Sequence, residues 1–421
     1  MRTKHKHLDS LLKQLGPGLI TGAADDDPSG IATYSQAGAQ FGLGMLWSVV
    51  FTYPLMVSIQ LIGATIAEVT GEGLTAHIRH HYSRWLLYGV VGLLFAANTI
   101  NIAADLSAMG DALKLIIGGP SQVYAAGFGL VSLVLQVFIP YRRYVPFLKW
   151  LTLALLAYVA TVFVVRLPWG EVLGHTFFPD ITWNRAYVTT LVAVFGTTIS
   201  PYMFFWQASQ EVEDQKANPL WRALMKSEAF QKSQLRRIGI DTCFGMGFSN
   251  LVAFFIILTT AATLHAHGIT DIQSSAQAAL ALRPIAGHLA FLLFSLGIIG
   301  TGMLAIPILA GSAAYAAADA FHWRSSLELK PRAAKRFYGV ITVSIVLGVV
   351  LGFTRVDPIR ALYWSAVING VISVPIMAIM LLMASHPKIM GKHAIGMRLK
   401  SLGWFSVGVM LIAVSAMFWL N

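Results

Sequence analysis

Apolar runs close to the roughly 20 residues that a helix needs to span a bilayer recur along this 421-residue chain. They lie at about 44–66, 85–110, 120–140, 147–166, 237–264, 286–318, 337–354, 359–384 and 401–420. A water-soluble fold has no core large enough to bury them all. Only 12% of the residues are charged, against about 25% in ordinary globular domains. The chain therefore reads as an all-α polytopic protein of the lipid bilayer, a single transmembrane domain over residues 1–421. No cleavable leader and no separate soluble domain is expected, and the longest hydrophilic loop covers about 211–236. The single cysteine, Cys243, excludes an internal disulfide framework and a thiolate metal cluster. Its apolar surroundings predict a small buried hydrophobe.

Two further segments are apolar but broken: 14–38, which carries "DDDPSG", and 186–210, which carries "TTISPYMFFWQASQ". If both cross, there are eleven transmembrane helices. Basic residues concentrate in cytoplasmic loops. With a cytoplasmic N-terminus and eleven spans, the great majority of the 30 Lys and Arg fall inside, and the C-terminus lies outside. If residues 14–38 merely lay on the surface, every later loop would flip and most of that charge would move outside. The net charge of +11 is thus a topology signal. It lies in loops between apolar runs, without the basic, aromatic-rich face of a nucleic-acid binder, so nucleic acid is not an expected partner.

The breaks fall in spans 1 and 6. Interrupted segments at matching positions of two halves point to a transporter site built from inverted repeats. The two five-helix repeats would cover about 14–166 and 186–384, with an additional helix at about 401–420. Proline removes a backbone donor and glycine tolerates unusual dihedrals, so "DPSG" unwinds the helix. Unwound backbone at membrane depth must be buried in protein or line a cavity. Its freed carbonyls, and the negative end of the first half-helix, favour a cation. A carboxylate at the break makes a hard oxygen site that suits a divalent metal.

Asp27, beside the proline, is the expected ligand. Asp25 and Asp26 either line the approach path or cap and hydrate the half-helix. The second break offers the hydroxyls of Thr197 and Ser200, carbonyls before Pro201 and the ring of Tyr202. Taken alone, it would read as a proline kink whose hydroxyls satisfy their own backbone; its pairing with the first break favours a site. In span 3, Asn98, Asn101 and Asp105 share one helical face, either lining the route or carrying a coupling proton, or bonding between helices. Asn369 in span 10 is a further lining candidate. The histidines of "HIRHH" and "HAH" are expected in solvated loops.

These residues carry a resemblance. "GPGLITGAADDDPSGIATYSQAGAQFG" resembles the first-helix region of the NRAMP family of divalent metal transporters, whose signature there is Asp-Pro-Gly-Asn. "GTTISPYMFF" is similar to the sixth-helix region, with signature Met-Pro-His, and "IAADLSAMGDAL" to the third-helix Asp-Leu-Ala-Glu stretch. The likeness extends through the eleven-span layout. It implies a LeuT-like fold and secondary transport of divalent metal ions, with the ion as substrate and no cofactor. It also implies an integral protein of a bacterial inner membrane.

Residue by residue, the resemblance keeps the family's Asp and Pro as Asp27 and Pro28 and replaces its Asn ligand by Gly30. Its Met ligand becomes Ser200, and the residue giving a backbone carbonyl is Thr197. Its proton-linked His becomes Tyr202, its third-helix Asp is Asp105, and the Glu partner falls at Ala108. Exchange of a thioether for a hydroxyl hardens the site. Loss of the Asn side chain is expected to widen it, which suits an ion that dehydrates reluctantly, such as Mg²⁺. The pattern looks more like the NRAMP-related magnesium transporters than the manganese and iron importers, and it weakens the expectation of proton coupling.

Other readings are an organic-cation, amino-acid or trivalent-ion carrier of the same fold, a structural or receptor protein, or an intramembrane aspartyl protease. An amino-acid carboxylate would be repelled by the three acids. A protease needs two aspartates sharing a proton, which Asp27 with Asp105 or Asp111 could supply. The usual Gly-x-Gly-Asp is absent here, because Ala108 stands two residues before Gly110.

Overall fold

The computed structural model describes residues 17–141, 152–217, 227–354 and 356–420, together with residues 143, 144, 148, 220 and 224. The basic N-terminal segment, the first residues of span 1 and most of 142–151 lie outside the described residues. The described chain is helical, and no strand occurs in it.

The first broken segment forms α1 (Pro17–Asp25) and α2 (Pro28–Phe41), followed by α3 (Leu46–Thr70), the short α4 (Leu74–His81), α5 (Arg84–Ile117) and α6 (Ser121–Phe138). Next come α7 (Leu156–Val164), α8 (Trp169–Phe177) and the second broken segment, α9 (Arg185–Thr198) and α10 (Pro201–Ala217). The chain closes with α11 (Glu228–Thr263), α12 (Ala290–Phe321), α13 (Lys335–Gly352), α14 (Pro358–Ala384) and α15 (Met397–Trp419). Side-chain caps start several of these. Ser83 accepts from Leu86 N at 3.2 Å, Asn184 from Tyr187 N at 2.9 Å, and Asp357 from Ile359 N at 3.0 Å. Each satisfies a donor that the first turn leaves free.

Nine stretches among the described residues are long and apolar enough to cross a membrane. A count of eleven divides the first of them, Pro28–Thr70, so that α1 and α2 make one span and α3 the next, and adds the short apolar helix at Leu153–Val164. The broken segments occupy the middle of the bundle. In the apolar window of Arg185–Ala217 every residue is buried, against 22% in Ser121–Phe138 at the periphery. The outer helices instead turn large apolar side chains outward, including Leu130, Phe163, Ile412 and Phe418, as lipid-facing positions require.

α1 and α2 pack on α11, and α9 packs on α14. Two close crossings fix those contacts. A Cβ on Gly22 would stand 2.2 Å from the Gly245 carbonyl oxygen, and one on Gly196 would stand 2.1 Å from that of Ala366. Only glycine fits at either point, as at other tight helix crossings within membranes.

Two expectations are corrected. Cys243 is exposed, on the face of α11 that also turns Phe244, Phe248 and Leu251 outward. Its apolar neighbours mark a lipid-facing stripe rather than the core. The "HIRHH" histidines lie on α4, not in a loop, and His77 is buried with Nε2 at 2.8 Å from Thr70 Oγ1. Burial lowers the His77 pKa, because it penalises the charged ring. His265 and His267 do sit in an exposed turn after α11.

Candidate functional site

The two breaks have the same form. In span 1 the helix stops at Asp25 and restarts at Pro28; in span 6 it stops at Thr198 and restarts at Pro201. Two residues are unwound each time, and a proline opens the second half-helix. Proline suits that first position because its missing N–H would have been unpaired there.

Asp27 caps α2 in an extended conformation, with φ −67° and ψ 171°. Its Oδ1 accepts from Gly30 N at 2.7 Å and Ser29 Oγ at 2.6 Å. Its Oδ2 faces the other break and accepts from the Tyr202 hydroxyl at a longer 3.2 Å. The same hydroxyl lies 3.3 Å from the Ala24 carbonyl, which belongs to the last turn of α1. Tyr202 therefore ties α10 to both sides of the first break. Asp27 and Tyr202 are fully buried.

The breaks also pack together at Gly30. A Cβ there would lie 3.2 Å from the Asp25 carbonyl oxygen, 3.3 Å from Thr197 Oγ1 and 3.4 Å from the Tyr34 ring. The missing side chain thus does not widen the site, as the sequence had suggested. It lets α9 close against the first break, so the space is already filled by oxygens and a ring.

At the second break, Ser200 Oγ donates back to the carbonyls of Gly196 at 2.6 Å and Thr197 at 3.1 Å, and Thr198 Oγ1 bonds to Val194 O. These are the self-satisfied hydroxyls of a proline-interrupted helix. Their oxygen lone pairs, and those of the carbonyls, remain the neutral part of the donor set. Asn369 is buried with an unpaired Nδ2, one residue from Gly370, which packs against Gly196 just before the break.

The polar face of α5 divides. Asn98 donates to the Leu309 carbonyl and to Ser312 Oγ, both at 2.8 Å, which anchors α5 to α12. Asn101 and Asp105 are fully buried, and neither has a hydrogen-bond partner. Asp105 lies on α5, which packs against α2. Asp111 is half-exposed and lines a separate cavity of about 380 Å³ with Ser121, Thr354 and Asp357. It takes no part in the site.

Asp25 and Asp26 turn elsewhere. Both approach Ser249 of α11, Asp26 Oδ1 at 3.2 Å. Sequence reading missed Ser249 and Tyr34. The one available signal for Ser249 was the polar pair Ser249–Asn250 inside an apolar span. It also missed an ion pair at the opposite end of α10, Glu211 with Arg237 of α11 at 2.6 Å, because Glu211 opened what read as a hydrophilic loop and Arg237 stood at the edge of the next apolar run. Among the described residues, no three His, Cys, Asp or Glu side chains form a ready-made metal cluster. The donors around Asp27 are one carboxylate, hydroxyls and backbone carbonyls, a set suited to a hard cation that must also be released.

Comparison with known proteins places this architecture. A family model described as Natural resistance-associated macrophage protein-like, Nramp, matches residues 18–420. The chain belongs to the Nramp family. Nramp proteins are membrane transporters rather than enzymes. Among solved structures, the manganese transporter of Eremococcus coleocola, in complex with an aromatic bis-isothiourea compound, superimposes with a TM-score of 0.78 at 18% identity, covering 98% of this chain and 88% of that one. Mhp1, a nucleobase-cation-symport-1 family transporter, gives 0.57 at 16% identity and covers 96% and 92%. MhsT in complex with L-phenylalanine gives 0.50 at 13%, covering 96% and 97%. These likenesses establish the LeuT-like fold of this Nramp chain.

Proposed function

We propose that this Nramp-family protein moves divalent metal cations across the membrane by alternating access, with the ion held between the unwound centres of spans 1 and 6. Mg²⁺ and Mn²⁺ are the foremost cargoes. The observation that carries this reading is Asp27 Oδ2, a buried carboxylate oxygen that faces the second break through one long hydrogen bond from Tyr202. An arriving cation takes that lone pair and displaces the tyrosine. Thr197, Ser200 and the backbone beside Gly30 supply neutral oxygens; Asp105 adds charge from α5. The similarity to a manganese transporter supports a divalent cargo.

The donor set favours Mg²⁺ through its hardness: a hydroxyl at Ser200 replaces a soft thioether. The closely packed Gly30 removes the argument from width. Passive flux driven by the membrane potential is favoured over proton-coupled Mn²⁺ or Fe²⁺ import, because Tyr202 and Ala108 stand where the resemblance places a His and a Glu. The potential supplies about 4.6 kcal/mol per 100 mV for a divalent ion. In this reading, two inverted repeats and eleven spans surround the site. The N-terminus is cytoplasmic, the C-terminus is outside, and the membrane is a bacterial inner membrane.

The test is Mg²⁺ and Mn²⁺ uptake into proteoliposomes at a fixed membrane potential, with internal pH recorded simultaneously. Mg²⁺ flux without acidification is expected. Mn²⁺-only flux with acidification would overturn the hard, uncoupled site.

A further inference from the structure

α4, the last turns of α10 and α12 and the segment after α12 enclose a cavity of about 400 Å³. It lies on the side that the distribution of basic residues assigns to the cytoplasm. Its lining carries both signs of charge, Arg79, Lys216 and Arg324 against Glu72 and Asp319, with Trp323 beside them. A recess shaped for a simple anion would not hold two carboxylates, and one shaped for a metal ion would not hold three cations.

Much of this charge is uncommitted. Arg79 is fixed in place, donating to the Asp319 backbone carbonyl and to His80 Nε2 at 2.9 Å. Lys216 reaches Glu213 across 3.8 Å. Among the described residues, Glu72, Asp319 and Arg324 form no ion pair. Gly73 makes room for the Asp319 carboxylate, which a Cβ at that position would strike.

A second feature connects the cavity to the bilayer. Trp85 and Tyr88, in the first turns of α5, are 87% and 48% exposed. Tyr88 stacks on Phe321 with ring centroids 5.9 Å apart, and Phe321 stacks on Trp323 at 5.0 Å. Aromatic rings at the ends of spans mark the level of the lipid headgroups. A continuous aromatic surface therefore leads from the outside of the bundle to a wall of the mixed-charge cavity.

We infer that this cavity binds the headgroup of a zwitterionic aminophospholipid from the cytoplasmic leaflet. Lys216 and Arg324 take the phosphate, Glu72 and Asp319 take the primary ammonium, and the acyl chains leave over the Tyr88–Phe321–Trp323 stack. Charge-assisted hydrogen bonds form at both ends, and the ammonium brings several N–H donors to the two carboxylates. A purely anionic headgroup would leave those carboxylates facing it, and a quaternary ammonium has no N–H to offer them. The bound headgroup ties α10, the second half of broken span 6, to α4 and α12. The inference holds whichever ion the two breaks carry.

Native mass spectrometry of the delipidated full-length protein tests it, with phosphatidylethanolamine, phosphatidylglycerol, phosphatidylcholine and soluble phosphoethanolamine added separately. Phosphatidylethanolamine should bind about tenfold more tightly than the other two lipids, the scale of one hydrogen bond between charged groups. Arg324→Gln should weaken all three lipids, whereas Glu72→Gln should bring phosphatidylethanolamine down to the level of phosphatidylcholine and leave phosphatidylglycerol no weaker. Both side chains are exposed, so both variants should fold, as melting curves check. Lys388→Gln, outside the cavity, should change nothing. Tightest binding of phosphatidylglycerol, insensitive to Glu72→Gln, would overturn the inference in favour of a plain basic patch. Soluble phosphoethanolamine binding as tightly as the lipid would overturn it in favour of a cytosolic ligand. A lipid preference unchanged in both cavity variants would place the lipid elsewhere.

Discussion

The two breaks share a geometry and divide the chemistry. Each is two residues long and each is followed by proline, yet the first carries three buried carboxylates and the second none. At the second, Ser200 and Thr198 turn their protons back onto their own helix. At the first, the acids reach outward, Asp27 to α10 and Asp25 with Asp26 to α11. A cation needs both kinds of donor. Charge alone would hold it too tightly, and neutral oxygens alone would not repay its lost hydration.

If the first break supplies the charge, Asp27→Asn should have the largest effect. Asparagine still caps a helix well, so the fold should survive while uptake falls by ~100-fold or more, equivalent to about 3 kcal/mol. Uptake and thermal melting on the same sample separate the two outcomes. Retained flux would mean that the carboxylate of Asp27 does not hold the cargo.

Gly30→Ala tests the closeness of the breaks. Its methyl would press on the Asp25 carbonyl and Thr197 Oγ1, and overpacking typically costs about 1–3 kcal/mol. Uptake should drop by up to ~10-fold with a lower melting temperature; faster transport would mean that the gap is looser than described.

Ser200→Met sharpens the neutral side. A soft thioether should strengthen Mn²⁺ or Cd²⁺ binding relative to Mg²⁺ by ~10-fold, measured by calorimetry. No shift would remove the hardness argument. Tyr202→Phe deletes the hydroxyl that bridges the breaks and should change affinity only a few-fold, on the scale of about 1 kcal/mol for one net hydrogen bond. Its sign is informative: tighter binding means that the ion competes with the hydroxyl for Oδ2.

The smallest effect lies outside both breaks. Burial depresses the His77 pKa, so the unfolded chain takes up protons before the folded one as pH falls. Stability should therefore be lost on acidification through the ordinary histidine range. Melting curves at pH 7.5 and 5.5 should show a drop that is reduced in His77→Gln.

The broken helices were legible because proline, glycine and buried acid violate the rules of a membrane span in ways that local sequence displays. Asp27 and Tyr202 could be named from that alone. The packing at Gly30 could not, because a glycine in sequence shows what is missing and not which residues fill the space. Ser249 was invisible for a similar reason: its role comes from two acids more than 220 positions away, brought near by the Gly22–Gly245 crossing. Asn98 and Asp105 share a face and a residue class, yet one is anchored to α12 and the other is unpaired. Periodicity gives the face; only the neighbouring helix decides the role.

On the proposed function, a divalent ion sits on Asp27 between the two breaks. Anomalous scattering from Mn²⁺ in crystals of the protein locates the ion directly. The prediction is a peak within coordination distance of Asp27 Oδ2, between it and the Thr197–Ser200 segment, absent in Asp27→Asn crystals. Ordered Mn²⁺ found only elsewhere, with Asp27 still bonded to Tyr202, would contradict it.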